Sequence, residues 1–377
     1  MKINARELNR ATLGRQLLLR REPLGVADAV RRILALQAQQ PASPYLALWN
    51  RLDGFRPADL DAAFADRTLL KATLLRITLH AVHGEDYPLV REAMRPTLHA
   101  TRLGHRFAAA GLTPSDAAEL EPGLLEFAGE PRSNGDMTAW LAERVGEERK
   151  DGAWWGLRAW APLVHSVTGG PWSFGNSPAY VAGPGDRFEG GPDEALRALI
   201  PRYLAAFGPA SVTDVAQFAT VQRARVRTAV GALGDSLEEL TGPDGTVLYD
   251  VPGAPRPPED TPAPPRLMAM WDSVLLAHAD RSRVVPPDYR PLVTRVNGDV
   301  LPTLLVDGQV AGVWRPAEAG GIEATAFHEL PPEAWEGLAE EAAALVELLA
   351  EREPRVYSRY GHWWKKLPEG EVRVLAG

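Results

Sequence analysis

Between residues 252 and 265 the chain reads PGAPRPPEDTPAPP. Proline has no amide hydrogen and a fixed φ, so a stretch this rich in it cannot run through the interior of a helix or sheet. It is expected to be an extended linker, and a boundary between folded units falls there. Before it, one pattern recurs three times with little residue identity between copies. Two or three short helices are followed by a strand pair, which is how a winged helix-turn-helix reads in sequence.

In the first unit, residues 1–100, Leu8, Ala11, Leu17 and Leu18 give one helix, and Val26, Val30, Ile33, Leu34 and Leu36 a second. Residues 72–82 carry Arg76, Thr78 and His80 at a period of two and read as a strand with one polar face, the wing. The second unit, residues 101–190, has a helix start at Thr113-Pro114-Ser115-Asp116 and an amphipathic helix over 137–145. Its wing is residues 163–167, a Thr168-Gly169-Gly170-Pro171 turn, and 172–174. In the third, residues 191–251, a helix over 196–207 stops at Gly208-Pro209, with Pro201 implying a kink or a later start. Ser211-Val212-Thr213-Asp214 resembles a capping box. Residues 221–233 carry Arg223, Arg225 and Arg227, and strands at 237–240 and 246–251 flank a Pro243-Asp244-Gly245 turn. Beyond the linker, residues 266–377 read as a β-rich unit with one helix. Short strands are expected around Leu275, Val284, 293–296, 300–306 and 310–314, then a helix over 332–349 and a last strand over 372–375. The fold class is α+β.

A chain of 377 residues that is 45% hydrophobic supplies two to four packed units. No apolar run approaches the roughly 18 residues of a membrane helix and the start lacks a signal-peptide core, so the chain reads as cytoplasmic, with no membrane partner. The lack of cysteine excludes disulfides, thiolate metal sites, iron–sulfur clusters and a cysteine nucleophile. A net charge of −8 weighs against nucleic acid, but distribution can outweigh the sum. Only five of the 41 basic residues are lysine, and the arginines cluster as Arg20-Arg21, Arg31-Arg32, Arg223/Arg225/Arg227 and Arg281/Arg283. Arginine forks suit phosphates and guanine edges. Codon usage in a GC-rich genome accounts for the number of arginines, though not for their clustering.

Gln37-Ala38-Gln39 follows the second helix and precedes Pro41-Ala42-Ser43-Pro44. On an extended segment a spacing of two points both amides to one side, where a pair can hold a water or a base edge without charge. Glutamines at a helix end also simply cap carbonyls or face water. Arg76, Thr78 and His80 either line a channel or stay on a solvated wing. His278-Ala279-Asp280-Arg281 has no second ligand cluster at metal spacing, so no metal and no cofactor is expected, and turn-stabilising or phosphate-binding roles fit better. Tyr357, Tyr360, His362, Trp363 and Trp364 with Lys365-Lys366 suit DNA stacking or, for the tryptophans, core packing.

Several segments in order resemble the AlkZ/YcaQ-type winged-helix DNA glycosylases. They are Leu36-Gln37-Ala38-Gln39 with Ser43-Pro44-Tyr45 and Leu48-Trp49, Leu75-Arg76-Ile77-Thr78-Leu79-His80, Tyr203-Leu204-Ala205-Ala206-Phe207-Gly208-Pro209-Ala210, the stretch His278 to Arg283, and the stretch Val306 to Arg315. The resemblance implies three tandem winged helices around a concave DNA channel with a small C-terminal β-barrel-like unit. It also implies a catalytic Gln-x-Gln on Gln37 and Gln39, and a monomer acting on double-stranded DNA that carries alkylated purines or crosslinks. Where the YcaQ-like branch has aspartate at the second position this chain has Gln39, which implies the crosslink-unhooking branch associated with self-protection against azinomycin-like antibiotics. Ser43, Arg76, Thr78, His80, Arg223, Arg225, Arg227, His278, Arg281 and Arg283 are then candidates to line the channel. The rival classes are a winged-helix transcription regulator without catalysis and a protein that sequesters the drug.

Overall fold

A computed structural model describes residues 1–376. The first unit begins with helix α1 (Ala5–Arg15), opened by a capping box between Asn4 and Glu7, and helix α2 (Val26–Arg32). A two-residue strand β1 (Leu36–Gln37) leads to helices α3 (Ser43–Trp49) and α4 (Pro57–Ala65) and strands β2 (Leu69–Thr73) and β3 (Leu79–His83). Helix α5 (Tyr87–Arg102) enters the second unit, where α6 (Pro114–Phe127), strand β4 (Arg132–Ser133), α7 (Asn134–Val145) and α8 (Lys150–Trp160) precede strands β5 (Leu163–Ser166) and β6 (Ala179–Ala182). The third has helices α9 (Pro192–Phe207), α10 (Val212–Ala219) and α11 (Arg223–Leu233), then the hairpin β7 (Glu238–Thr241) and β8 (Val247–Asp250). Serine and threonine caps open α6, α7 and α10, each paired with an aspartate three residues on. After the linker come β9 (Arg266–Leu267), a short helix α12 (Arg290–Val293), strands β10 (Thr303–Val306), β11 (Gln309–Pro316) and β12 (Ile322–Ala326), helix α13 (Pro332–Ala350) and strand β13 (Glu371–Leu375).

The molecule is thus α+β, and four expectations need correction. The C-terminal unit is not a barrel. Its antiparallel sheet, in the order β13-β12-β11-β10-β9, is open, with β13 and β9 as edges. Residues 72–82 are not one strand but a hairpin, broken by a tight turn at Leu75–Ile77. In the second unit, β5 pairs with Ala179–Ala182 rather than with residues 172–174. Around Leu275 and Val284 the chain makes single 3-10 turns, and residues 293–296 run from the end of α12 through one isolated bridge into a turn, instead of strands. The strands of the first two units also do not form separate sheets. They merge into one antiparallel sheet, β1-β3-β2-β5-β6-β4, joined where Lys71 meets His165.

One apolar core packs α1 to α4 against the C-terminal sheet and α13, through side chains such as Leu46, Leu48, Met268 and Trp314. A second lies on the other face of the large sheet, under α5 and the helices of the third unit. The linker is not loose: Arg6, Arg10 and Arg15 of α1 donate to the carbonyls of Glu259, Thr261 and Pro255.

Two bidentate ion pairs with no solvent contact tie distant segments together. Arg51, just past α3, grips Asp272 at 2.7 and 2.8 Å, and Arg15 grips Asp250 at 2.7 and 2.8 Å. A buried pair gains little over an apolar replacement, but removing one partner strands a charge. Asp272→Ala is therefore expected to cost about 3–5 kcal/mol in urea denaturation, with Arg51→Met/Asp272→Leu recovering much of it. A loss under 1 kcal/mol for Asp272→Ala would contradict this account.

Candidate active site

The Gln-x-Gln segment is shaped by what ends α2. Leu34 takes a left-handed backbone, φ 76°, and turns the chain into extended β1. There Leu36 lies opposite Ala81 and Gln37 opposite His80, while Ala38 N donates to Leu79 O at 2.8 Å. His80 also faces Ala72 on β2, so Gln37, His80 and Ala72 share one face of the sheet. Between β2 and β3, Arg76 and Ile77 are both left-handed, with φ of 51° and 58°. Neither is glycine, so the turn carries strain of order 1 kcal/mol or more per residue, held by the buried Leu74 and Leu75.

That turn brings Arg76 back onto the sheet face. Its Nη2 donates to Gln37 Oε1 through a short bond and to His80 Nε2 at 3.2 Å. Guanidinium only donates and the Thr78 carbonyl only accepts, so the ring is the neutral tautomer with its proton on Nδ1, 3.1 Å from Thr78 O. Burial, and then the charge of Arg76, hold the His80 pKa well below the usual histidine range. Arg76 lies over the Phe218 ring, its carbon 5.1 Å from the centroid, and its Nη1 is buried without a partner. Burial, with Arg281 nearby, lowers its pKa to about 10, so it remains a cation at neutral pH. Gln39 is exposed and lightly held, its Oε1 3.4 Å from Leu79 N.

Arg76 forms one wall of an open groove of about 610 Å³, with Thr213, Gln217, Thr220, Gln222 and Arg223 among the other lining residues. No carboxylate lines it. The groove sits at the α10–α11 turn of the third unit. Sequence reasoning marked Arg223 but missed Phe218, Gln217 and Gln222. Their only signal was a place beside the arginine-bearing helix.

The other candidates separate. Arg227 is exposed on α11, whereas Arg225 is paired with Asp193 at 2.7 Å. Thr78 caps the turn through Oγ1 to Leu75 O. Arg281 holds Thr294 Oγ1 at 3.0 Å, and its pKa is lowered to about 10 by burial and Arg290. Ser43 is buried against Tyr357, 3.0 Å between oxygens. His278 contacts Phe207 O through Nε2 at the end of α9, and Arg283 holds Pro209 O and Thr12 Oγ1 and so ties α1 to the end of α9. Trp363 braces the turn at Arg295–Gly298 through Asp299. Among the described residues no three histidine, aspartate or glutamate side chains gather in a metal-binding group.

This architecture is that of a solved enzyme. The structure of the Streptomyces sahachiroi DNA glycosylase AlkZ superposes with a TM-score of 0.79 at 22% identity, covering 93% of this chain and 98% of that one. An interstrand DNA cross-link repair glycosylase of the same organism is 26% identical over 329 residues, 83% of this chain and 88% of the relative. Residues 30–348 match the family described as DNA glycosylase AlkZ-like, and the chain belongs to that family.

Four histidines are held in neutral form, His80 and His278 buried, His99 and His165 half-buried. Burial lowers His80 well below its ordinary value, His278 and His99 to about 4, and His165 to about 3. Neighbouring cations add to this, Arg283 at His278, Arg91 at His99 and Lys71 at His165. The unfolded chain takes up these protons near pH 6.5, the folded chain only well below it, so stability is full above about 6.5 and falls as pH drops toward 4. Urea midpoints measured from pH 7.5 to 4.5 should decline steadily. A flat profile would contradict the buried neutral state.

Proposed function

We propose that this chain hydrolyses the N-glycosidic bond of N7-alkylated guanine in duplex DNA, unhooks interstrand crosslinks, and does so as a monofunctional glycosylase through Gln37 and Gln39. The observation that carries the reading is the Gln37 amide held by Arg76, a residue that also walls an open, carboxylate-free groove. Alkylation at N7 makes the base a cation. When the C1′–N9 bond breaks, its electron pair passes to N9 and neutralises that charge, so the leaving group needs no general acid. Water adds to C1′ and loses its proton to solvent. The protein then has to orient that water and steady an oxocarbenium-like sugar, which neutral amide dipoles can do. A neutral lesion would need stronger activation, so Gln39 restricts the enzyme to cationic bases.

A base tethered to both strands cannot swing into a closed pocket, and an open groove meets that constraint. In this reading the three helix-and-hairpin units are winged helices around a concave channel, and the protein acts in the cytoplasm as a monomer. Its role is self-protection against a crosslinking antibiotic of the azinomycin kind, in keeping with the named activity of its Streptomyces sahachiroi relative.

Phosphate contacts fall to guanidinium groups without an acidic partner. Arg106, Arg223 and Arg227 are exposed and, among the described residues, have no carboxylate partner. Arg102 and Arg106 both lie over Trp155, which uses their faces and leaves N–H edges open to phosphate oxygens. The turn at Arg295–Gly298, with Val296 fully exposed at its tip and Trp271 donating to Gly298 O, is placed to enter a groove of the duplex.

Base release from duplex DNA carrying N7-alkylguanine, as monoadduct and as crosslink, tests the reading. Gln37→Ala and Gln39→Ala should each slow release by about 100-fold, on the scale of losing one transition-state contact, with folding intact. Arg102→Ala/Arg106→Ala should reduce the slope of log affinity against log salt by about 2. No release from either substrate, together with tight binding to a single DNA sequence, would instead mark a transcription regulator.

A further inference from the structure

The hydrogen bonds around Gln37 say which way its amide faces. Arg76 Nη2 can only donate, so the atom of Gln37 turned toward it is Oε1. The amide nitrogen must then point away from Arg76. Arg76 is held in turn: the second hydrogen on Nη2 goes to His80 Nε2, and the His80 proton on Nδ1 goes to Thr78 O. Every member of the chain Thr78–His80–Arg76–Gln37 is satisfied in one direction only, because the carbonyl at one end cannot donate and the guanidinium in the middle cannot accept.

We infer that His80 and Arg76 are a positioning relay that fixes Gln37 as a hydrogen-bond donor, so that the two glutamines divide the work. Gln37 presents N–H to the departing base, whose ring nitrogens and O6 gain electron density as the C1′–N9 bond breaks. Gln39, exposed and with its carbonyl only weakly engaged, is the group left to accept from the attacking water. The inference rests on the glycosylase reading and adds direction to it. It also gives a reason for the strained turn at Arg76 and Ile77. An ordinary strand through residues 74–78 would carry Arg76 along β2 and leave Gln37 free to rotate.

His80 matters here through its neutral Nε2 lone pair, not by proton transfer, and it touches no reacting atom. The groups facing it from the packed elements are Arg76 on the turn and Gln37 on β1. Replacing His80 by leucine removes the acceptor, whereas glutamine can place a carbonyl oxygen where Nε2 stands.

The test is single-turnover base release at saturating protein, on DNA carrying N7-methylguanine, with DNA affinity measured in parallel. Gln37→Glu keeps the acceptor toward Arg76 and removes the donor, so its rate should fall as far as that of Gln37→Ala, about 10- to 100-fold, with affinity held within about threefold. His80→Leu should lower the rate at saturation about 10-fold without a matching loss of affinity, and His80→Gln should restore most of it. A Gln37→Glu enzyme at the wild-type rate would overturn the donor assignment. Equal loss in His80→Leu and His80→Gln, or none in either, would overturn the relay. A wild-type protein that releases no base removes the glycosylase reading itself and the relay with it, while an active wild type with an indifferent Gln37→Glu removes the relay alone.

Discussion

The helix that follows the glutamine segment, α3, is held at its end by a buried ion pair. Arg51 leaves the end of α3 and closes on Asp272 with no water in reach, while also holding Ala47 O and lying 3.4 Å from Gln16 Oε1. One guanidinium therefore fastens the end of α3 to the residue that closes α1 and to the C-terminal unit. Asp272 in turn caps the 3-10 turn that follows it. Arg15 does the same for the third unit, gripping Asp250 at the end of strand β8 together with Leu204 O of α9. Charges placed this deep cost solvation that their attraction only roughly offsets, so their value is geometric. They fix how the first unit lies against the two elements that complete the groove.

With that frame in place, the site is built from donors and dipoles instead of titrating groups. The one cation in contact with the glutamines, Arg76, is kept charged although burial and Arg281 lower its pKa to about 10. The one histidine beside it is kept neutral by burial and by that same charge. The two states are compatible: a protonated His80 could not accept from Arg76, and the charge of Arg76 adds to the burial that already keeps the ring neutral. A catalyst of this kind suits a substrate that brings its own activation, since an alkylated purine is a cation poised to leave. The Arg76 charge is itself spread over the Gln37 carbonyl, the His80 lone pair and the face of Phe218.

How much of this could be read in advance depended on how local the cause was. The linker was legible because proline acts residue by residue, and the third unit because its caps, its arginine-bearing helix and its Pro-Asp-Gly turn are contiguous. Gln37 and Gln39 were legible as a motif, but their expected equivalence was not kept: one amide is buried and bonded, the other exposed and nearly free. The hairpin at Arg76 was hidden because Leu75-Arg76-Ile77 contains no glycine, proline or asparagine and its period of two mimics a strand. The joining of two wings into one sheet was hidden for another reason. The contact between Lys71 and His165 crosses most of the second unit, and no local pattern announces it.

The same logic resolves the conflict between an acidic chain and a DNA substrate. Net charge governs behaviour at a distance, but binding is decided by cations free to approach phosphate. Arg225 sits in the midst of the most basic run of the third unit and is spent on Asp193, while Arg223, two residues before it, lines the groove. Arg102 and Arg106 escape pairing by stacking on Trp155. Arg15 and Arg51 contribute to the positive count of the sequence and nothing to its surface. A chain can therefore carry a net charge of −8 and still present a positive line to DNA, provided its carboxylates are occupied elsewhere. The groove that Arg76 and Arg223 wall, lined otherwise by amide, threonine and small apolar side chains and by no acid, shows that separation at its sharpest.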